Sequence, residues 1–403
     1  MKQIPVQNAV SVNAFSAAFA GGVGRNALYQ ALLDNRTALG VLTLFQVPFP
    51  SPVGELHDPL PEIRTELQHY GSRNARLALA ALDFPEDGLR DAIRTAVDRY
   101  GPARVGVVIG TSTSGLFETE SAYETLLREN AMPDDFHFLT RHAYQSTPRF
   151  LQLELGLEGP CYAVSTACSS GAKAVAAGQR LIRNGICDAV LAGGVDTLCR
   201  LTLRGFHSLE LVSASLCQPM DRNRKGINIG EAAALLLLEK LNSNQDSCFQ
   251  VLGVGESSDA YHMSSPHPDG LGAIKAMQNA LQIAGLEPKS IDYLNLHATA
   301  TEVNDRIEAK AVARVFGDSL PVSGTKGITG HTLGAAGALE CVISLLALEH
   351  RFVPGTCGLL NPDPEYRCNV VREPFPEAHL RTVMSNSFGF GGNNSSLIVA
   401  SNR

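Results

Sequence analysis

The feature of this sequence that most limits its possible folds is a repeated pairing of a short apolar run with a helix-like segment. The runs are rich in β-branched residues and end in glycine or other small residues: RVGVVIGTSTSG (104–115), DAVLAGGVDT (188–197), DYLNLHATAT (292–301) and TVMSNSFGFGG (382–392). Strands that are apolar along their whole length are buried on both faces, so helices must cover both sides of the sheet. The chain is therefore predicted to be an α/β protein with mostly buried sheets.

Length and a change in composition predict two fused halves. A chain of 403 residues with 44% hydrophobic and 18% charged content can bury one large core or two joined cores. The polar stretch LNSNQDSCFQ (241–250) is predicted to be a junction, with halves at 1–248 and 249–403. Two segments echo each other across it, SSGAKAVAAG after Cys168 and TLGAAGALECV after His331, which suggests a duplicated unit.

Charge and cysteine usage exclude several classes of protein. The net charge of −7 gives no general attraction for nucleic acid, and no nucleic-acid partner is predicted. No apolar run reaches the roughly 18 residues of a membrane helix, and the first residues lack the order of a signal peptide, so no membrane span and a cytoplasmic location are predicted. The nine cysteines are scattered and never spaced as CxxC, which argues against disulfides and against a metal site.

One cysteine stands in a segment of small residues, AVSTACSSGAKAVAAG (163–178). A thiol is a good nucleophile only as the thiolate, and a helix N-terminus supplies partial positive charge and free N–H groups. Cys168 is placed directly before such a helix, and its own N–H could face a thioester oxygen. Its small neighbours would let the helix run through a packed interior and leave room for an acyl chain. A free cysteine is more often one more buried small residue, so this segment alone does not establish catalysis.

Three downstream segments make the catalytic interpretation specific. NLHATATEVNDRIEAKA (295–311) carries a histidine beside two threonines, and SGTKGITGHTLGAAGALE (323–340) carries a lysine and a histidine in a glycine-rich loop. SNSFGFGGNNSSLIV (385–399) carries a glycine turn around Phe388 and Phe390. Each segment alone is weak, because a lone histidine is usually structural and GFGG is often only a tight turn.

Together these motifs resemble those of the β-ketoacyl-acyl-carrier-protein synthases of the elongating Cys-His-His type. The resemblance runs from about residue 100 to the C-terminus and includes CQPMDRNRKGINIGEAAALLLLEK (217–240). It implies the thiolase fold, in which two similar α/β halves stack as a five-layered α-β-α-β-α core. Departures are Ala298 in place of the usual glycine, GEAAA in place of a glycine-rich version, and an N-terminal strand motif that is hard to recognise.

The resemblance also implies roles for individual residues. Cys168 would attack an acyl thioester, and His297 and His331 would hydrogen-bond the malonyl thioester carbonyl as its carboxylate is lost. The remaining roles are an oxyanion hole formed by the backbone N–H groups of Cys168 and Phe390, a site-orienting pair, Lys326 and Glu340, pantetheine-binding hydroxyls of Thr299 and Thr301, a gate, Phe390, and an acyl-tunnel end at Thr113.

The implied partners follow from the same family, and several alternatives stay open. An acyl-carrier protein would deliver substrates on phosphopantetheine, with no tightly bound cofactor or metal, and the subunit would form a homodimer or pair with a related chain-length-factor-like subunit. A degradative thiolase would carry a second cysteine in the GFGG loop, an initiating synthase would have asparagine at His331, and a non-catalytic partner would lack Cys168. The pathway is either fatty-acid synthesis or a type II polyketide or polyene system.

Overall fold

The computed structural model describes residues 9–241 and 248–402. The strands are β1 Val10–Phe19, β2 Gly22–Val23, β3 Val105–Gly110, β4 Cys161–Val164, β5 Ala189–Asp196, β6 Ala232–Lys240, β7 Phe249–Ser258, β8 Tyr293–Asn295, β9 Pro321–Ser323, β10 Asn369–Val370, β11 Thr382–Gly389 and β12 Asn393–Ser401. The helices are α1 Arg25–Leu33, α2 Arg73–Leu82, α3 Leu89–Tyr100, α4 Leu116–Glu129, α5 Phe138–Arg141, α6 Ser146–Leu155, α7 Ser170–Arg183, α8 Arg200–Ser208, α9 Leu271–Ala284, α10 Glu302–Phe316, α11 Lys326–Thr329 and α12 Ala336–His350. The 3-10 turns are Thr65–Tyr70, Pro85–Asp87, Pro102–Arg104, Pro288–Ser290, Leu333–Ala335 and Phe390–Gly392.

The sheet consists of two half-sheets with the same topology. The hydrogen-bonded order is β10-β9-β8-β11-β12-β7-β1-β6-β5-β3-β4, and β2 pairs with β1. The N-terminal half-sheet (β1, β3, β4, β5, β6) and the C-terminal half-sheet (β7, β8, β9, β11, β12) both run third, second, fourth, fifth, first strand. In both, the fifth strand is antiparallel to its neighbours and the other pairs are parallel. The duplication that the sequence suggested is thus matched by the strand order.

The helices and half-sheets form five layers. α7 and α12 make the middle layer, since each contacts strands of both half-sheets. α2, α3 and α6 cover the outer face of the N-terminal half-sheet, and α9 and α10 cover that of the C-terminal one. One hydrophobic core lies around the middle helices, and one lies under each outer layer. The predicted α-β-α-β-α thiolase fold is confirmed.

The small residues of α7 and α12 allow the two middle helices to approach closely. A Cβ added to Gly171 would lie 2.7 Å from the Ala338 nitrogen and 2.9 Å from the Gly334 oxygen. A Cβ added to Gly337 would lie 2.8 Å from both the nitrogen and the Cβ of Ala172. Because interiors are close-packed, larger residues would push the helices apart. The small residues beside Cys168 were predicted both to let the helix run through a packed interior and to leave room for an acyl chain. The helix contact agrees with the first expectation, and the second stays a prediction.

The same packing explains the most apolar helix of the chain. Among the described residues, one helical stretch, Leu333–His350, is long and apolar enough to cross a membrane, and 89% of it is buried inside the protein. It comprises α12 and the 3-10 turn before it, and its apolar side chains belong to the middle core. The predicted junction at 241–250 includes residues 242–247, which lie outside the described residues. The predicted boundary after residue 248 stays a prediction.

Candidate active site

Cys168 lies in a tight turn, residues 165–170, that connects β4 to α7 and is called the nucleophile turn below. Ala167 has a φ of 53°, a left-handed conformation that alanine rarely adopts. Hydroxyls within the turn hold it: Ser170 Oγ accepts from Thr166 N–H (2.8 Å) and donates to the Ala167 oxygen (2.6 Å). Ser169 Oγ donates to the Thr166 oxygen (2.9 Å). The sequence prediction noted how small these residues are and missed that their hydroxyls build the turn.

The Cys168 sulfur is buried and faces two backbone N–H groups. The amides of Phe390 and of Cys168 itself both donate toward the sulfur, so the two predicted oxyanion donors converge on it. Burial raises the pKa of the Cys168 thiol to about 11, although Lys326 and the amides act to lower it. Burial therefore favours the thiol as the resting form of Cys168, and activation by the helix N-terminus stays a prediction.

The structure brings Cys168, His297 and His331 together. One sulfur or ring-nitrogen atom from each lies within 4.8 Å of those of the other two, and all three residues are buried. The two imidazole rings are nearly perpendicular, with centroids 5.4 Å apart. Cysteine and histidine are also zinc ligands, so this cluster is the place where a metal could bind. The prediction that no metal is needed stays a prediction.

Both histidines present Nε2–H toward this cluster. The Leu333 N–H donates to His331 Nδ1 (3.1 Å), and a backbone N–H can only donate, so the proton of neutral His331 must be on Nε2. Lys326 Nζ lies 3.3 Å from His297 Nδ1, which favours the same tautomer there. Burial and the charge of Lys326 hold the pKa of each histidine well below its usual value. Two neutral N–H donors therefore face the sulfur.

Lys326 and Glu340 form a buried ion pair behind His297, as the family resemblance implied. Lys326 is 2% exposed, bonds to Glu340, and also donates to the His297 oxygen at 2.5 Å. Burial raises the pKa of Glu340 to about 7, although the lysine acts to lower it. The lysine thus holds both the backbone and the ring of His297.

Glu308, on α10, holds the loop of the first histidine and was missed from the sequence. Its carboxylate accepts from the N–H groups of His297 and Ala298, both at 2.8 Å. Ala298, which replaces the family's usual glycine, has a φ of 34°. Its methyl group is accommodated by Gly324, because a Cβ there would lie 2.5 Å from the Ala298 Cβ. The available signal was an acid in NDRIEAKA, one to three helical turns after the histidine.

A cavity of about 460 Å³ leads from this cluster to the surface. Its inner part is lined by Cys168 and both histidines, and Thr299 and Thr301 line it farther out, with their hydroxyls 2.9 Å apart. Phe390 also lines the cavity, and its ring packs on Phe206 with centroids 5.5 Å apart. The residues predicted to bind pantetheine and to form a gate are therefore at the cavity.

Thr113 is placed differently from the sequence prediction. It does not belong to the lining of the described cavity. Its hydroxyl donates to Asp196 Oδ1 (2.8 Å) and accepts from the Thr197 N–H (3.1 Å). The hydroxyl is thus satisfied within the protein, and an acyl-tunnel role for Thr113 stays a prediction.

A five-layered fold of two like halves, with a buried Cys-His-His cluster in the lining of a cavity, defines a condensing enzyme of the thiolase class. Two family models match the chain: the N-terminal domain of β-ketoacyl synthase over residues 7–244 and the C-terminal domain over 248–360. The chain belongs to the β-ketoacyl synthase family. The acyltransferase class predicted from the sequence is confirmed.

Relatives of two kinds are similar to the chain. It is 33% identical to 3-oxoacyl-[acyl-carrier-protein] synthase 2 of Coxiella burnetii, over 93% of this chain and 94% of the relative. It is 38% identical to a structure described as the ketosynthase ApeO in complex with its chain length factor ApeC from Xenorhabdus doucetiae, with a TM-score of 0.89 and full coverage of both chains. The ishigamide ketosynthase/chain length factor structure is 27% identical, with a TM-score of 0.88 over 98% of this chain and 100% of that one.

Proposed function

We propose that the protein extends an acyl chain by two carbons, through decarboxylative condensation of an acyl group on Cys168 with a malonyl thioester. The observation that carries this proposal is the arrangement at the sulfur: two backbone N–H groups and two neutral imidazoles converge on one buried thiol. Donors aimed at developing negative charge in a water-poor site are the main source of rate acceleration in acyl transfer.

In the first half-reaction Cys168 takes the acyl group. Its sulfur bonds to the acyl carbonyl carbon, the carrier's C–S bond breaks, and the thiol proton leaves with the carrier's sulfur. The amides of Cys168 and Phe390 stabilise the tetrahedral oxyanion.

In the second half-reaction the malonyl thioester loses carbon dioxide. The Nε2–H groups of His297 and His331 donate to the thioester oxygen as enolate charge develops there. The enolate carbon then bonds to the acyl carbonyl carbon, the bond to Cys168 breaks, and the released thiolate takes a proton from solvent. The histidines act as hydrogen-bond donors, and neither needs to change protonation state.

An acyl-carrier protein is the proposed deliverer of both substrates. The cavity is lined by Thr299 and Thr301, whose hydroxyls suit the amides of a pantetheine arm. Arg204, Arg222 and Lys225 are exposed on the two segments that flank the cavity mouth. In a chain of net charge −7, this local positive charge suits an acidic carrier.

A second thiolase-fold subunit is the proposed structural partner, either another copy or a chain-length-factor-like protein. β4 ends the sheet path and is only partly buried, so its outer edge can accept a strand. The Gln145 side chain bonds the outward Cys161 oxygen (3.0 Å) and Ala163 N–H (3.1 Å), and a pairing strand would replace it. The neighbouring segment carries five large apolar side chains that are at least half exposed, Tyr123, Leu127, Phe138, Leu139 and Tyr144.

A polyketide or polyene pathway is the second candidate function beside fatty-acid synthesis. The observation that favours it is the 38% identity to a ketosynthase solved with a chain length factor, against 33% to the synthase 2 relative. Sedimentation of the protein alone, and of the protein co-expressed with a related subunit, distinguishes a homodimer from a pair with a chain-length-factor-like subunit. A stable, active monomer would contradict the proposed pairing altogether.

The condensation itself is tested with purified protein, acyl-carrier protein loaded with acyl groups, and malonyl-carrier protein. Mass spectrometry should show the acyl group on Cys168 and a β-ketoacyl product two carbons longer than the substrate. Cys187→Ala is the matched control, since Cys187 is buried outside the cavity. Acylation of another cysteine, or product formation by Cys168→Ala, would overturn the proposal.

A further inference from the structure

Asp196 is a buried carboxylate at the end of β5 that no proposed step uses. It is 0% exposed and accepts hydrogen bonds from three backbone N–H groups, those of Ser112 (2.8 Å), Thr113 (2.8 Å) and Gly334 (2.5 Å). The hydroxyls of Thr111 (2.7 Å) and Thr113 (2.8 Å) donate to it as well. Within the described ranges no ion pair reaches Asp196. Burial raises its pKa, and the N–H and O–H groups that bond it act to lower that pKa. Burying a carboxylate costs free energy unless hydrogen bonds compensate, so the groups that Asp196 bonds indicate what it positions.

The bond to Gly334 reaches the loop of the second histidine. Gly334 follows Leu333, whose N–H caps His331 Nδ1 and whose φ is 52°, a left-handed conformation that leucine rarely adopts. Fixing the Leu333–Gly334 peptide from one side restrains this strained backbone. A Cβ on Gly334 would lie 2.7 Å from Asp196 Oδ2 and 2.7 Å from Ser112 Oγ, so glycine is required for the carboxylate to approach.

The bond to Ser112 reaches the nucleophile turn. Ser112 Oγ donates to the Ala167 oxygen at 3.4 Å, directly before Cys168. One carboxylate therefore restrains the segment behind the nucleophile and the segment behind His331. Because the two turns come from different half-sheets, a common acceptor can set their relative position.

We infer that Asp196 is a positioning residue. Through Gly334 and Leu333 it holds His331 as the tautomer with its proton on Nε2. Through Ser112 it fixes the position of His331 relative to Cys168. The inference rests on the proposed function for the use of that N–H, whereas the tautomer itself can be measured without turnover. Asp196→Asn replaces one acceptor oxygen with a donor that must face an N–H group. Condensation should fall about 10- to 100-fold, by analogy with the loss of an outer group that orients a metal-ligating histidine.

The experiment is ¹⁵N NMR of histidine-labelled protein, with the His331 signals assigned by their absence in His331→Ala. The folded wild type should show a protonated Nε2 and a bare Nδ1, and Asp196→Asn should show a mixture of tautomers. Glu239→Gln is the matched control: it changes another buried carboxylate, opposite the first residue of β5, and should leave the His331 signals unchanged.

An unchanged tautomer in folded Asp196→Asn, or an equal change in Glu239→Gln, would overturn the inference. If Asp196→Asn does not fold, Gly334→Ala keeps the carboxylate and pushes the Gly334 N–H away from it, so a wild-type tautomer there would overturn the inference equally. Wild-type protein that releases no carbon dioxide from malonyl-carrier protein would instead contradict the proposed function and leave the tautomer result standing.

Discussion

Two turns occupy equivalent places in the two half-sheets and are held in different ways. The nucleophile turn connects the third strand of the N-terminal half-sheet to α7, and residues 330–335, called the histidine turn, lead from the third strand of the C-terminal half-sheet and α11 into α12. The first is closed mainly by its own hydroxyls, with one longer bond from outside, from Ser112 to the Ala167 oxygen. The second depends on distant partners, since the His331 N–H donates to the Asn228 oxygen and the Gly334 N–H to Asp196. The fold places the two turns at matching positions, and the hydrogen bonds that hold each turn determine which chemistry it supports.

The two turns also differ in the charge of the groups that hold them. Neutral hydroxyls hold the nucleophile turn, whereas buried carboxylates, Glu308, Glu340 and Asp196, hold the two histidine segments. Hydroxyls do not titrate in the physiological range, whereas Glu308 and Glu340, whose pKa values burial raises to about 7, do. The histidine side should therefore be the part of the site that responds to pH and to distant substitutions.

The largest expected effect is at the nucleophile. Cys168→Ala should abolish acyl loading, because no other described sulfur lines the cavity. The histidine turn should be unaffected, since its bonds do not involve Cys168. Counting radiolabel on the protein after incubation with labelled acyl-carrier protein measures this, and residual loading equal to that of Cys187→Ala would assign the acyl group to a different residue.

The next effect is on stability, from the ion pair behind His297. Lys326→Met leaves Glu340 buried without its cation and should lower the free energy of unfolding by about 3–5 kcal/mol above pH 7. The pKa of Glu340, already about 7, should rise further, so the loss should shrink at pH 5, where the carboxyl is protonated. Urea denaturation at the two pH values measures this, and a loss that does not depend on pH would argue against a buried charge.

Glu308 should make stability fall as pH rises. Its pKa is about 7 in the folded protein, against an ordinary value of 4.5, so the folded state binds the proton more tightly. The contribution of Glu308 to the free energy of unfolding is fully present below pH 4.5. It is lost as pH rises through 7, by about 3 kcal/mol at most. Glu308→Gln should remove this part of the dependence of the unfolding free energy on pH, measured by urea denaturation across that range. An identical pH dependence in both proteins would show that Glu308 titrates normally.

The smallest expected effect is within the nucleophile turn. Ser170→Ala leaves the half-buried Thr166 N–H without its acceptor and should cost about 0.5–1.5 kcal/mol of unfolding free energy. Because the turn is closed locally, the His331 tautomer should stay as in the wild type. A tautomer change in Ser170→Ala would show that the two turns are coupled through more than Asp196.

The sequence was informative where a local pattern carries the signal. Apolar runs ending in small residues predicted β3, β5, β8 and β11, and the motifs placed Cys168, both histidines and Phe390 at what the structure shows to be one cavity. These features depend on neighbours in the chain, so a single sequence can show them.

The rest depends on residues far apart in sequence. Asp196 bonds Gly334 across 138 positions, and no periodicity marks that pair. Thr113 shows the same limit, because a threonine at a strand end can face a tunnel or bond a carboxylate 83 residues later. Cys168 is a further case, because burial raises the pKa of its thiol and a sequence shows burial only indirectly.

The central claim is that the imidazoles stabilise enolate charge and do not act as the base for Cys168. The most direct test is to measure acyl loading and carbon dioxide release from malonyl-carrier protein separately in His331→Ala. Losing one donor to developing charge costs about 2.7–4 kcal/mol, so decarboxylation should fall roughly 100- to 1,000-fold while loading falls far less. Normal decarboxylation together with failed loading would make His331 the base and contradict the account.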